Sequence, residues 1–512
     1  MSRTKNVSRN AIVALVCQIV NLLLNFIIRT VFIRVLGAEY LGVNGLFTNV
    51  LTILSFAELG IGNAIVFSMY KPLATNDTEE IKSLMRLYKT AYNYIGVIVA
   101  VVGLAIVPFI NYIIKDEPDI PENISALYLL FLINTVVSYF FTYKKNIIIA
   151  DQKNYIVIGI SQIVLILKTF FQIAFLYLTH QFLLYLLIQI VFTLIDNVIC
   201  SIIADRMYPY LKEESKQLDK GKTQKIYTDV KALALYKFGS VILNGTDNIL
   251  ISAMVGVKEV GFASNYLLLT TSCNSVLNKV TEVFTSSVGN LNATAGEEKQ
   301  YNIFKKLFFL TSWIYGFASV GLILISQSFI NIWIGNDYLL SYAVLIAIVS
   351  EFYIKGVHSV AYTYRSTLGF FVEGKWSALL AAIINLVLSV LLCFKFGLVG
   401  IFIATPISRV FSIGIVDPLL IFHRGFKKKA IQYYYRYILY TSLYVMIAII
   451  CKILINMFDI SGWFGIFIQI CVVTVVFNGI VILLFCRTTM FKELIQMFQN
   501  MFSNRRKKKN GN

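Results

Sequence analysis

The chain has 512 residues, of which 58% are hydrophobic and only 14% charged, with mean hydropathy +0.73 and net charge +18. Soluble domains carry about 25% charged residues, so a soluble enzyme or binding module is excluded. The positive charge has no folded domain with which to bind nucleic acid, and it needs another explanation.

Crossing about 30 Å of hydrocarbon takes about 20 helical residues. Fourteen stretches of roughly that length follow one another along the chain. The first six lie near 11–35, 43–70, 91–114, 124–143, 155–178 and 182–204. A basic segment, 205–237, precedes the next six, near 238–256, 260–284, 307–334, 340–363, 376–396 and 398–420. The last two lie near 437–457 and 463–486, ahead of a basic tail, 487–512. The expectation is an all-α integral membrane protein. Its first helix is a retained span, being too long for a signal segment and lacking a small-residue cleavage site.

The charges account for themselves through topology. With both termini in the cytoplasm, the inner segments hold 35 of the 45 Lys and Arg residues. The outer turns hold Lys115 and Lys258, beside eight acids such as Asp116, Asp119 and Glu122. Short loops rich in Lys and Arg face the cytoplasm. The terminal Arg505–Lys509 cluster suits anionic lipid headgroups. No outer turn exceeds about ten residues, which leaves no room for a catalytic domain. The seven cysteines show no CxxC or metal spacing and read as small hydrophobes. His180, His358 and His423 are too few to argue for a metal centre, and no GxxxxGK[ST] phosphate loop occurs. No cofactor is implied.

Leu36–Gly45 reads LGAEYLGVNG and Val255–Ser264 reads VGVKEVGFAS, 219 residues later, with Gly37 and Gly42 falling on Gly256 and Gly261. Both stand at the turn between a first and a second helix. The match suggests two pseudo-symmetric six-helix lobes in one orientation, 1–204 and 238–420, linked by 205–237 and followed by two further helices at 421–486.

Arg29, Glu58, Lys168, Asp196, Asp247, Glu351, Lys355 and Arg409 fall inside the expected spans. Each costs about 2.5–3.5 kcal/mol there unless it meets water or a partner. They are therefore expected to line a hydrated interior or to pair across helices. Glu351 and Lys355, four apart, are equally placed for an intrahelical ion pair. Asp196 and Asp247, beside Asn197 and Asn248, could instead bond neighbouring helices together. Arg34 and Lys279 lie near span ends, where long cationic side chains reach for the interface. Arg29, Lys168 and Arg409 are the stronger candidates for a phosphate-bearing substrate, since guanidinium and ammonium groups suit phosphate oxygens. Asn21 and Asn25 share the Arg29 face of the first helix. Most of the 30 Tyr and 39 Phe read as interface belts or lipid-facing bulk.

The stretch FIRVLGAEYLGVNGLFTNVLTILSFAELGIGNAIVFSMYKPLATND, Phe32–Asp77, resembles the start of bacterial polysaccharide-transporter flippases. These belong to the multidrug/oligosaccharidyl-lipid/polysaccharide exporter superfamily, whose members include exporters of O-antigen, capsule, teichoic or exopolysaccharide units. Leu41-Gly42, the Ala57–Gly62 run AELGIG, Tyr70-Lys71-Pro72 and the later Phe396–Gly400 turn FGLVG carry the likeness. The resemblance implies two six-helix lobes around a central cavity lined by helices one, two, seven and eight. It implies passage of an undecaprenyl-pyrophosphate-linked oligosaccharide across the bacterial plasma membrane by alternating access. On that basis Arg29 and Glu58 fall on the first two lining helices, and Asp247 and Lys279 on the seventh and eighth. Lys168, Glu351 and Arg409 rest on the charge argument alone. The substrate-binding candidates are thus Arg29, Lys168, Lys279 and Arg409. The coupling or gating candidates are Glu58, Asp196, Asp247, Glu351 and Lys355, with H⁺ or Na⁺ as the ion.

The partners expected are membrane lipids, the lipid-linked oligosaccharide, and a polysaccharide polymerase with glycosyltransferases. Two other functions compete. A drug/cation antiporter of the same superfamily needs acids in an apolar cavity, whereas several interior Arg and Lys residues favour an anion. A membrane-bound polymerase or glycosyltransferase needs a sizeable catalytic loop, and every outer turn is short.

Overall fold

The computed structural model describes residues 3–58, 61–116, 118–214, 218, 221, 223–224, 230, 239, 241–243, 245–294, 296–368, 370, 376–458 and 460–496, apart from the side chains of 3–12, 14–15, 56–57, 63 and 279–294. Among the described residues the fold is helical and without strands. Among the described residues eleven helices are long and apolar enough to cross a membrane, which makes this a multi-pass membrane protein. The chain forms two compact units, Met1–Ser264 with Ala378–Ile401, and Asn265–Ser377 with Phe402–Asn512.

In the first unit, α1 (Arg3–Leu36) ends at Gly37, whose φ of 89° is a conformation that side chains disfavour. Helix α2 (Ala38–Leu54) starts at the next residue, so Leu41-Gly42 is already helical and the turn is Gly37 alone. The span expected to run unbroken over 43–70 is interrupted. Helix α2 gives way to a 3-10 turn at Ser55–Glu58, and α3 (Ile61–Thr75) resumes beyond it. The interruption has local causes. Ser55 Oγ donates to the Leu51 carbonyl at 2.8 Å, and Glu58 accepts a hydrogen bond from the Tyr92 hydroxyl. The sequence also places Gly60 and Gly62 here, each costing about 0.5–1 kcal/mol relative to Ala in a helix interior.

Helix α4 (Thr78–Ile106) absorbs most of the basic segment expected as a loop at 71–90. Asp77 caps it, accepting from the Glu80 amide at 3.0 Å, and Glu79 and Glu80 favour the positive helix start. After α5 (Ile110–Ile113), α6 (Ile124–Thr142) is capped by Asn123, which accepts from the Ala126 amide at 3.1 Å. A short α7 (Lys145–Ala150) fills the next basic connection, followed by α8 (Asn154–Thr179) and α9 (Phe182–Met207). The unit is completed by α10 (Asp247–Met254), the opening turns of α11 (Val257–Thr294) and most of α14 (Ser377–Phe396).

The two turns that share the glycine pattern touch. A side chain at Gly42 would collide with the Val257 carbonyl, and one at Gly261 with the Ala38 carbonyl. The 219-residue offset carries Ala38 onto Val257 and Gly42 onto Gly261, so the contact is reciprocal, as across a local two-fold axis. Glycine at both places lets the helix starts approach backbone to backbone, the usual way membrane helices pack closely.

The second unit contains the remainder of α11, α12 (Glu297–Ile334), α13 (Tyr342–Thr367), α15 (Leu398–Phe411) from Phe402 onward, α16 (Ile413–Leu420), α17 (Ile431–Asn456) and α18 (Gly462–Phe485). Ser341 caps α13 through the Val344 amide. The chain breaks at Ser412, and a π turn at Ile421–Gly425 follows Pro418. The core is aromatic: Phe304, Phe308, Tyr364, Phe422, Phe426 and Tyr433 are buried together, with ring centroids 4.8–6.3 Å apart. Pairs of this geometry add roughly 0.5–1.5 kcal/mol each beyond burial. Facing outward, α17 and α18 expose Ile438, Val445, Ile453, Phe467 and Leu483. Such faces are stable in contact with lipid chains.

Candidate functional site

Arg29 projects from α1 within the first unit. Its Nη1 donates to Ser264 Oγ at 3.2 Å and its Nη2 to the Ser264 carbonyl at 3.4 Å. Tyr185 of α9 is the other group acting on it. Among the described residues no carboxylate pairs with this guanidinium, which keeps donors for an anion. Eight residues before it, Asn21 Oδ1 is buried without a hydrogen-bond partner among the described residues, while Asn25 is exposed.

Glu58 stands at the break between α2 and α3. The Tyr92 hydroxyl donates to it, and the Tyr139 hydroxyl bonds to both Ser55 and Glu58. Behind Tyr92, the Tyr88 hydroxyl lies 3.4 Å away and accepts from Asn146 Nδ2. A side chain at Gly62 would come within 2.9 Å of both the Tyr88 and Tyr92 hydroxyls, so the glycine makes room for the phenols. The result is an acid held by hydroxyls instead of by a cation, a setting able to accept a proton or a small cation.

Asp196 is different. Lys145 of α7 pairs with it at 2.5 Å, and Ser161 of α8 donates to it at 2.9 Å. Nearby, Lys144 pairs with Asp205 at 2.7 Å. These contacts tie α7, α8 and α9 together. Lys168 of α8 feels the Asp196 charge, so the structure brings these two candidates within electrostatic reach. Asp247 opens α10, where the helix start favours an anion. Lys279 lies on α11, and its side chain falls outside the described residues.

In the second unit, Arg409 of α15 reaches Glu351 of α13 through Nε at 2.8 Å and Nη2 at 2.7 Å. Glu351 is thus paired between helices. Lys355, one turn along α13 and exposed, acts on both charges, giving the group two cations and one acid. Glu351 Oε2 is buried and accepts no hydrogen bond among the described residues.

One constellation was not singled out from the sequence. Asp417 of α16 is fully buried; it accepts from Arg365 Nη1 at 2.7 Å and meets His358 Nε2 at 3.0 Å. Arg365 Nη1 also reaches Ser377 Oγ at 3.3 Å. The expected span end at 363 puts Arg365 in an inner loop, but α13 extends to Thr367 and carries it inside. The missed signal is a spacing: 351, 355, 358, 362 and 365 recur at helical intervals and lie on one face of α13. Close by in the same unit, a cavity of about 550 Å³ is lined mostly by apolar groups, with Tyr353, Tyr437, Thr441, Lys452, Asn456 and Gln469 among its polar contributors.

Comparison with known structures supports this architecture. The fold is similar to that of the lipid II flippase MurJ in an inward closed conformation, at 15% identity and TM-score 0.63, covering 93% of this chain and 98% of that one. It is similar to an inward-facing multidrug resistance MATE family transporter of the MOP superfamily, at 14% identity and TM-score 0.62, covering 80% and 96%. A MOP superfamily transporter from Pyrococcus furiosus, described as having a binding pocket of reverse polarity, matches at 16% identity and TM-score 0.55, covering 84% and 98%. No curated protein sequence matches the chain. The family profile for polysaccharide biosynthesis proteins matches residues 7–284. This chain belongs to that polysaccharide biosynthesis protein family, and it carries the fold shared by flippases and transporters of the MOP superfamily.

Proposed function

We propose that the protein carries a polyprenyl-pyrophosphate-linked oligosaccharide from the cytoplasmic to the outer leaflet of the bacterial plasma membrane, for cell-surface polysaccharide synthesis. Arg29 carries the reading. A guanidinium placed among helices costs several kcal/mol unless something anionic meets it, and its described partners are neutral oxygens. A phosphate head is the chemistry that completes it, through paired N–H donors. Lys168, in the same unit, is the second candidate cation for that head, whereas Arg409 is paired with Glu351. The apolar cavity of the second unit suits hydrocarbon.

The cycle makes and breaks no bond. The lobes 1–204 and 238–420 alternate in access, and the reciprocal contact of Gly42 with Val257 and of Gly261 with Ala38 serves as the outer gate. Glu58, held by Tyr92 and Tyr139, takes the coupling proton or cation, with Asp247 as the second candidate. A polymerase and glycosyltransferases act before and after the flip.

The test is deletion followed by complementation and lipid extraction. Wild-type chain restores surface polysaccharide, whereas the Arg29→Ala chain leaves the oligosaccharide lipid on the cytoplasmic leaflet. Unchanged lipids together with increased sensitivity to cationic dyes would overturn this reading in favour of a cation antiporter.

A further inference from the structure

The bonds that hold Arg29 lead to the contact between the two helix starts, and all of them lie in the first unit. Ser264, on the opening turns of α11, accepts from Arg29 Nη1 through its Oγ at 3.2 Å and from Nη2 through its carbonyl at 3.4 Å. The same Oγ donates to the Gly261 carbonyl at 2.7 Å. A Cβ at Gly261 would come within 2.3 Å of the Ala38 carbonyl oxygen, so this glycine is where α11 closes on the start of α2. One hydroxyl therefore joins the guanidinium to the closure, accepting from the first and donating to the second.

Two features make that hydroxyl a joint that an anion can open. Charge-assisted N–H···O bonds usually run about 2.7–2.9 Å, so 3.2 and 3.4 Å mark a loose grip. Ser264 gives both nitrogens of the fork a neutral oxygen, and a phosphate offers the same fork two charged ones. The second feature is an asymmetry. The 219-residue offset carries Arg29 onto Asn248 and Gly45 onto Ser264. Those counterparts also meet, since a Cβ at Gly45 would lie 3.7 Å from Asn248 Nδ2. Asparagine has no charge and glycine no hydroxyl, so only the Arg29 side can answer an anion.

Resting on the reading of Arg29 as the phosphate ligand, we propose that Ser264 couples occupancy of Arg29 to the outer gate. Without a ligand, Arg29 holds Ser264, and with it the opening turns of α11, against the start of α2. A phosphate that takes the Nη1 and Nη2 donors frees Ser264 and loosens the contact of Gly261 with Ala38. A ligand shifts an equilibrium only by its different affinity for the two states. Here the difference is the Ser264 bond, which only the unliganded state makes. Ser264 is thus a positioning residue that yields to the head instead of binding it.

The experiment uses purified full-length protein in a neutral detergent, with inorganic pyrophosphate as the probe. Binding is measured by calorimetry, and amide hydrogen exchange over 38–46 and 257–265 is followed by mass spectrometry. In wild type, pyrophosphate should speed exchange in both segments. Ser264→Ala should exchange fast without the probe, gain little from it, and bind it about three- to tenfold more tightly, because one net hydrogen bond no longer competes. Ser264→Thr keeps the hydroxyl and should behave as wild type. Arg29→Ala removes the same bond from its other end. It should speed exchange in both segments without binding the probe, which keeps the test open if Ser264→Ala folds poorly. Failure of pyrophosphate to bind wild type, or binding unchanged in Arg29→Ala, would overturn the Arg29 reading and the coupling with it. Arg29-dependent binding that left exchange unchanged, or that failed to tighten in Ser264→Ala, would overturn the coupling alone.

Discussion

Arg365 and Arg409 in the second unit contrast with Arg29 in the first. Arg365 is buried against a fully buried carboxylate and shares Asp417 with His358. Arg409 directs two nitrogens onto one oxygen of Glu351. Among the described residues, Arg29 meets a serine hydroxyl, a backbone carbonyl and a nearby tyrosine. All three residues carry the same side chain on a membrane helix. Sequence position cannot distinguish them, because the desolvation cost is similar for each until a partner is specified. Where a carboxylate answers, the arginine fastens one helix to another. Where neutral oxygens answer, the charge is available to a ligand.

That contrast can be broken at several places. The largest effect is expected from Asp417→Ala, which strands Arg365 in the core. Removing one partner of a buried pair costs about 3–5 kcal/mol, so folded yield and thermal midpoint in detergent should fall sharply. If the variant were as stable as wild type, the clamp reading would be wrong. Gly42→Val comes next. It forces a side chain onto the Val257 backbone, and overpacking typically costs about 1–3 kcal/mol. Its expected signature is a shift in cysteine cross-linking between the two helix starts, together with slowed export. Gly261→Val should reproduce it, because the contact is reciprocal.

Arg29→Ala should sharpen the comparison from the other side. Loss of a charge-assisted contact of about 1.5–3 kcal/mol predicts at least tenfold weaker transport, with the thermal midpoint held. Arg29→Lys should restore part of the activity, since a point charge replaces a fork. A melting profile that collapsed in Arg29→Ala would make Arg29 another structural arginine. The smallest effect is expected from Glu297→Gln. Its partner Lys427 is 71% exposed, and exposed pairs contribute little, so neither stability nor transport should change measurably.

Much of this was legible in the chain. Apolar runs of span length and the lysine bias of short segments require only local counting, and both follow from the cost of exposing backbone or charge to hydrocarbon. Two glycines of each turn suggested a repeat, and the reciprocal packing gives one of each pair, Gly42 and Gly261, a steric reason. The break at Ser55–Glu58 was harder to see. The glycines lie beside it in the sequence, but the bond from the Tyr92 hydroxyl to Glu58 joins residues 34 apart and needs the tertiary structure. Asp196 is readable as an interior acid and not as the partner of Lys145, because nothing in the sequence between the spans marks the short helix α7 that carries Lys145. An assumed span end separates His358 from Arg365, which one continuous helix keeps on a single face, and Asp417 reaches both from α16.

The sequence by itself determined that this is an all-helical, many-span membrane protein with a lysine-rich end and charges placed where charges are costly. Those conclusions rest on transfer free energies that each residue carries wherever it sits. Only the tertiary structure decided which charges are satisfied by one another and which are left for something else. Pairing depends on side chains converging from elements far apart in the chain, as Arg365 and Arg409 do on Asp417 and Glu351.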